Sequence, residues 1–419
     1  MKTRTICAIP WMHLNFEPDG KVVPCCLTSS HSYFAGDLTT DSIEEIWNSN
    51  NMKSLRLQMI NGEEPKICNT CFDRERVTGI SGRTHHNKAF PKVLESIPKI
   101  TDQTGYVSEM NLLYWDFRFS NLCNLKCRSC GPRYSSAWVP DAKKLGLISN
   151  QDKVWNIDSV DNTNNFDFLT EQINVVEKIY FAGGEPLMMD EHWQILELLD
   201  KNNRHDVMIS YNTNCTTFTY KNKDVFDYWK KWNAGKLEIW PSIDEIGPRA
   251  ELIRSGTVWS KVEANLKRLT TLDNTLIQPG ITVGAWNVFR LPEIINHLVD
   301  IGVINSERHY RNFFLNLIET PSHYNITILP DKFKNETRER LIKFIGSFNK
   351  KHNTDIRKHF AQILSELSKD HNPKAARQFV TMTARVDSVR KEQFYDVVPE
   401  LKMLQDAYHH LLKVSCYKN

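Results

Sequence analysis

This sequence lacks a dominant charge: 53 basic residues stand against 50 acidic ones, a formal net of +3. That balance offers no coat for a polyanion and gives no evidence for a nucleic-acid partner. Long apolar runs are missing too; none approaches the roughly 20 residues of a membrane-spanning helix, so no membrane is expected. The opening stretch, Met1 to Pro10, has basic residues but no apolar core, and does not read as a signal peptide. The rest lies near the globular norm, with 41% hydrophobic and 25% charged residues over 419 positions. That length suggests two or three domains, each able to bury a core. Ten cysteines without an export signal favour a reducing, cytoplasmic interior, where thiols bind metal rather than pair.

The densest chemistry is Asn121-Leu-Cys-Asn-Leu-Lys-Cys-Arg-Ser-Cys-Gly-Pro132, which sets Cys123, Cys127 and Cys130 in a C-x3-C-x2-C run. Three thiolates so spaced can wrap one face of an iron–sulfur cubane. Such clusters normally take four, so one coordination site would stay open. A structural zinc site uses similar spacings. An aromatic-rich run, Leu112 to Phe119, reads as a strand just before the cysteines. A second strand, from Val175, ends in Gly183-Gly184-Glu185-Pro186, where glycines permit close backbone approach and proline stops strand pairing. Further strands are expected over 207–212, 236–244, 281–286 and 311–317, alternating with helical stretches. The polar stretch 146–165 is expected as a long loop. Residues 331–419 read as amphipathic helices, with eighteen basic and eleven acidic residues.

The first 80 residues carry their own thiols: Cys7, Cys25, Cys26, Cys68 and Cys71. Pro18-Asp19-Gly20 is a turn signal between His13–Phe16 and Lys21–Val23, so a hairpin should bring Cys7 and Cys25 together. Asp41-Ser-Ile-Glu44 is expected to cap a helix. Cys68 and Cys71, as C-x2-C, can grip one metal or one cluster from a single turn. Zinc and an iron–sulfur cluster both suit these four cysteines. Residues 81–109 read as a linker, with His85 and His86 expected in solvent. Cys215 reads as a small buried hydrophobe and Cys416 as no ligand at a fraying end.

The three-cysteine run followed by Gly-Gly-Glu-Pro resembles the radical S-adenosylmethionine (SAM) enzymes. That resemblance implies an α/β fold with a partial (β/α)6 TIM-like barrel over 110–330 and a helical extension over 331–419. It implies a SAM-binding [4Fe-4S] cluster on Cys123, Cys127 and Cys130, whose open iron takes the amino and carboxylate groups of SAM. The 5′-deoxyadenosyl radical released from SAM would then abstract hydrogen from a substrate. By the same resemblance Gly183, Gly184, Glu185 and Pro186 meet the SAM amino group, Asn212 the ribose or adenine, and Ser242 with Arg254 the SAM carboxylate. Ser129 departs from the pattern, which usually has an aromatic residue before the third cysteine.

The C-x12-G-x4-C arrangement of Cys7, Gly20 and Cys25, with a distant C-x2-C, resembles the twitch domain, a half-size relative of the SPASM domain. It implies an auxiliary [4Fe-4S] cluster on Cys7, Cys25, Cys68 and Cys71 within residues 1–80, with Cys26 either spare or, by a swap, in the place of Cys25. Such domains usually follow the barrel, whereas this one precedes it. An electron donor such as a flavodoxin or ferredoxin is implied, and a peptide or a small molecule (a sugar or nucleotide) as substrate. A different class of function stays open: a zinc-bearing, non-catalytic binding module on a degenerate barrel. An RNA-modifying radical enzyme has no basic segment to support it. No residue can be named as catalytic acid, base or radical relay.

Overall fold

Aromatic and β-branched residues at alternate positions set His13–Phe16, Tyr114–Phe117, Lys178–Phe181 and Met208–Thr213 side by side as parallel strands. One face of this row is apolar and buried, with Phe16 stacked on Phe117 and Phe181 on Tyr211, each pair at 5.0 Å. The other face is polar. Its register places Asn15 opposite Asp116, Asp116 opposite Tyr180, and Tyr180 opposite Ser210.

The computed structural model describes residues 3–28, 33–149 and 163–415. Two units are resolved: 1–122, 155–211 and 231–237 make the first, and 123–154, 212–230 and 238–419 the second. In the first unit, the expected hairpin forms: His13–Phe16 pairs antiparallel with Lys21–Val23, and Gly36–Asp37 extends the edge. Gly20 turns it at φ +81, a backbone state that glycine adopts without strain. His13–Phe16 also pairs in parallel with Tyr114–Phe117, so the cysteine-bearing N-terminal stretch joins the same sheet.

The cap expected at Asp41 sits one residue later. Ser42 accepts from the Glu45 N–H at 3.2 Å, and Glu45 accepts from the Ser42 N–H at 2.9 Å. Arg56, fully buried, ties this region together through the carbonyls of Pro10, Trp47 and Gly105. Residues 81–109, expected as a linker, carry the helices Gly82–Ala89 and Pro91–Ile100. His85 is exposed as expected, but His86 is not. It packs 5.5 Å from the Tyr114 ring, and burial lowers its pKa to about 4.

The second unit holds the strand Leu237–Pro241 from Glu238 on, and Thr275–Ile277, Gly280–Val283 and Phe314–Leu317. Gly280–Val283 runs parallel to Phe314–Leu317, and Ser242 bridges Gly280 in parallel. All six strands expected over 110–330 are therefore present. Helices Asp331–His352, Arg357–Glu366, Pro373–Arg390 and Lys402–Ser415 form the C-terminal extension. The chain is thus mixed α/β, with an open, partly parallel sheet and helical extensions. The loop expected over 146–165 falls largely outside the described residues, as does Cys416. Among the described residues no helix is long and apolar enough to cross a membrane.

Candidate functional site

In the first unit, the Gly-Gly-Glu-Pro turn follows directly on strand Lys178–Phe181 and is moulded to the chain just ahead of Cys123. The Gly184 N–H donates to the Ser120 carbonyl at 3.2 Å and the Glu185 N–H to the Leu122 carbonyl at 2.8 Å. Gly183 has φ +107, and a Cβ there would stand 3.1 Å from the Arg118 Cα. A Cβ on Gly184 would fall inside the Leu122 carbonyl. Both glycines are needed for contact, and Glu185 and Pro186 are buried behind them.

In the second unit, the cysteine loop is pinned by a two-residue ladder: Lys126–Cys127 pairs antiparallel with Arg254–Ser255, and Arg254 faces Cys127. The Arg128 N–H continues it to the Ile253 carbonyl at 2.7 Å. The Trp138 indole holds the Cys127 carbonyl at 2.7 Å, and the Cys130 N–H closes a turn onto that carbonyl at 3.0 Å. Cys123, Cys127 and Cys130 share one electrostatic neighbourhood. Burial, and then the charges of Cys127 and Cys123, push the Cys130 thiol up to about 12. Hydrogen bonds already aim at sulfur: the Leu125 N–H stands 3.5 Å from Cys123 Sγ and Asn214 Nδ2 3.9 Å.

Arg254 supplies the counter-charge. Burial works against its guanidinium, but Cys127 and Asp244 beside it raise its pKa. Asp244 takes Arg254 Nη1 at 2.8 Å and the Thr282 N–H at 2.8 Å, while Asn287 holds the Asp244 carbonyl at 2.7 Å. Ser242 sits at the end of its strand with its N–H on the Thr213 carbonyl at 2.9 Å, next to Asn212 in the chain. Cys127, Arg254 and Asp244 are therefore brought together, with Ser242 and Asn212 at neighbouring strand ends. Asp244, Asn214 and Arg128 were not singled out from the sequence. Each is an ordinary polar residue, and the partners of Asn214 and Arg128 lie far along the chain.

The N-terminal thiols also gather. Burial raises the Cys7 pKa, and the charges of Cys25, Cys68 and Cys71 add to it. Cys68 precedes helix Asn69–Thr78 and Cys71 lies in its first turn. Cys25 Sγ is 3.6 Å from Thr28 Oγ1. Cys26 meets Asp116, Cys25 and Arg118, and none of the other three thiols figures among its partners. Arg83 braces the group: it pairs with Glu75, donates to the Ile6 carbonyl at 2.9 Å and lies over the Phe72 ring. Cys215 is buried, as expected. Among the described residues no set of three or more Cys, His, Asp or Glu is drawn in to metal-ligand geometry. The fold supplies the donors and their neighbourhood. Thiols that raise one another's pKa, with N–H groups and a guanidinium beside them, suit an iron–sulfur cluster by donor chemistry.

Residues 7–72 match the SPASM family, an iron–sulfur cluster-binding domain. Comparison with curated proteins finds no match. Similar solved structures include native anSMEcpe with bound AdoMet, at 17% identity and TM-score 0.37, covering 57% of this chain and 61% of that one. They also include Streptococcus suis SuiB bound to precursor peptide SuiA, at 13% identity and TM-score 0.39, covering 81% and 70%. The chain thus spans about three fifths of the length of the first, and likenesses this loose carry nothing further. Residues 7–72 thus resemble a SPASM iron–sulfur cluster-binding domain, which in this chain precedes the C-x3-C-x2-C and Gly-Gly-Glu-Pro signatures.

Proposed function

We propose that this protein is a radical SAM enzyme on a partial (β/α)6 barrel, acting by hydrogen abstraction. The observation that carries the proposal is the ladder that sets the Arg254 guanidinium opposite Cys127 in a loop of three crowded thiols. Cys123, Cys127 and Cys130 would hold a four-iron cluster, and Arg254 would offset their charge. Bound there, such a cluster supplies the electron that splits the SAM sulfonium into methionine and the 5′-deoxyadenosyl radical. Asp244 holds Arg254 in place, and with Ser242 the remaining guanidinium edge suits a carboxylate, here that of SAM. Gly183, Gly184, Glu185 and Pro186 would meet the SAM amino group, and Asn212 the ribose or adenine. Cys7, Cys25, Cys68 and Cys71 would hold the auxiliary cluster and, being four, leave it closed to substrate and suited to electron transfer. A peptide substrate, a flavodoxin or ferredoxin as donor, and a reducing cytoplasmic setting complete the reading.

The test is anaerobic reconstitution, iron counting, and incubation with SAM and dithionite. Seven cysteine ligands imply two clusters, about eight irons per chain. The wild type should release 5′-deoxyadenosine, and the triple Cys123→Ala, Cys127→Ala, Cys130→Ala variant should keep about half the iron and release none. A colourless zinc protein, or SAM cleavage that survives the triple substitution, would refute the proposal.

A further inference from the structure

In the second unit, one guanidinium beside the cysteine loop keeps hydrogens that nothing accepts. Arg390 ends helix Pro373–Arg390, and only 1% of its side chain is exposed. Its Nε donates to Asp141 Oδ2 at 2.7 Å. The same oxygen takes the Lys126 ammonium at 3.0 Å, so two cations divide one carboxylate. Arg390 Nη1 and Nη2 are shut away from solvent, with no hydrogen-bond partner among the described residues. Buried guanidinium hydrogens are rarely left without an acceptor.

Two routes lead from Arg390 to the loop thiols. Its guanidinium carbon lies 4.4 Å from the centre of the Trp138 ring, whose face attracts the charge but offers the N–H edge no lone pair. The Trp138 indole holds the Cys127 carbonyl, and Cys130 packs against the apolar group of Trp138, Ala142, Leu145 and Val386. The second route runs through Asp141 to Lys126, the residue before Cys127. The other two guanidiniums at this loop are met by carboxylates: Arg128 by Asp387 and Glu392, and Arg254 by Asp244.

We propose that Arg390 sets the reduction potential of the cluster on Cys123, Cys127 and Cys130, through a charge that Asp141 divides with Lys126 and through its Nη hydrogens. One electron, from dithionite in vitro or from the protein's electron donor, adds one negative charge at the loop. A buried cation beside the loop favours that added charge, and N–H donors to sulfur act in the same direction, so both raise the potential. Arg390 touches neither SAM nor substrate in this role and is a positioning residue. It gives the C-terminal extension a part in SAM cleavage. The inference rests on the reading of the three loop thiols as cluster ligands.

The experiment is a redox titration of the reconstituted full chain, followed by electron paramagnetic resonance. The signal of the loop is the one missing from the triple Cys123→Ala, Cys127→Ala, Cys130→Ala variant. Arg390→Met, neutral and of similar length, should lower its midpoint potential by about 59 mV or more, a tenfold change in the one-electron equilibrium. Asp141→Asn removes the carboxylate, leaves both cations, and should raise the potential. Arg390→Lys keeps the charge and should recover most of the loss. A merely structural Arg390–Asp141 pair predicts shifts of one sign in Arg390→Met and Asp141→Asn. That result, or no shift in either, overturns the proposal. If Arg390→Met does not fold, the direction of the Asp141→Asn shift decides. A loop signal that added SAM leaves unchanged sinks the SAM reading while the Arg390 result stands. Absence of any loop signal in the wild type ends both.

Discussion

Arg128, the residue after Cys127, places Nη2 2.5 Å from Asp387 and 2.5 Å from Glu392. Only 3% of its side chain is exposed, and its guanidinium lies 5.0 Å from the Phe394 ring. Glu392 also takes the Ser255 hydroxyl at 2.7 Å, and Arg390 reaches Asp141 at 2.7 Å. The end of helix Pro373–Arg390 and the turn after it therefore clasp both strands of the ladder that carries Cys127. Removing one partner of a buried ion pair leaves the others uncompensated, at about 3–5 kcal/mol.

Arg128→Ala should accordingly lower unfolding free energy by about 3–5 kcal/mol and speed the loss of iron from the Cys123–Cys130 loop to a chelator. Denaturant melts and timed chelation check the two effects. A variant as stable as the wild type, with equal iron retention, would mean the C-terminal clasp is not what holds the loop.

Glu245 gives a pH dependence. It is 1% exposed, with Arg290 at 3.5 Å and Arg249 at 4.0 Å, yet burial outweighs both and raises its carboxyl to about 7. The unfolded chain ionises this group near 4.5, so between the two values the folded state binds more protons. Its contribution to stability is therefore present below about pH 4.5 and is lost as pH rises to about 7, by about 3 kcal/mol. Glu245→Gln removes that slope, so the variant should gain on the wild type by about that amount between the two values. Urea melts across the range measure the difference, and a constant difference would place the Glu245 pKa near its ordinary value.

Cys25 and Cys26 should separate cleanly. Cys25→Ala removes a thiol that raises the Cys7 pKa, whereas Cys26 faces Asp116 and Arg118. After reconstitution, Cys25→Ala should lose about four irons and Cys26→Ala none. The opposite pattern would shift the ligand register taken from Gly20 by one residue.

The strands and the two cysteine sets were legible in the sequence because period and spacing act over a few neighbouring residues. The partners were not. His13 and Tyr114 are 101 residues apart, so nothing local announces that Asn15 lies opposite Asp116. Arg128 and Asp387 are 259 apart, and each alone reads as surface charge. The helix entry is ambiguous by one position in the sequence because Asp41 and Ser42 can both cap, and only the reciprocal bonds to Glu45 choose Ser42. His86 reads as solvated in the sequence because its neighbours are polar, and the Tyr114 ring it packs on comes from another element.

Gly184 carries the last prediction. The Glu185 N–H bonds the Leu122 carbonyl at 2.8 Å, and that carbonyl occupies the place a Gly184 Cβ would take. The obstacle is backbone, which no rotamer change can clear. Gly184→Ala must therefore push the turn away from Leu122, the residue before Cys123, and cost about 1–3 kcal/mol or more, as overpacking against fixed atoms does. The neighbouring Gly183→Ala meets Arg118 Cα at 3.1 Å and adds backbone strain at φ +107. If the turn meets SAM, both variants should also bind SAM at least tenfold more weakly, a change of about 1.4 kcal/mol. Thermal melts and SAM titration of the reconstituted variants check this. A Gly184→Ala protein with unaltered melting would show that the turn does not press on Leu122. Unaltered melting with weakened SAM binding would instead place the glycine at the ligand rather than at the packing contact.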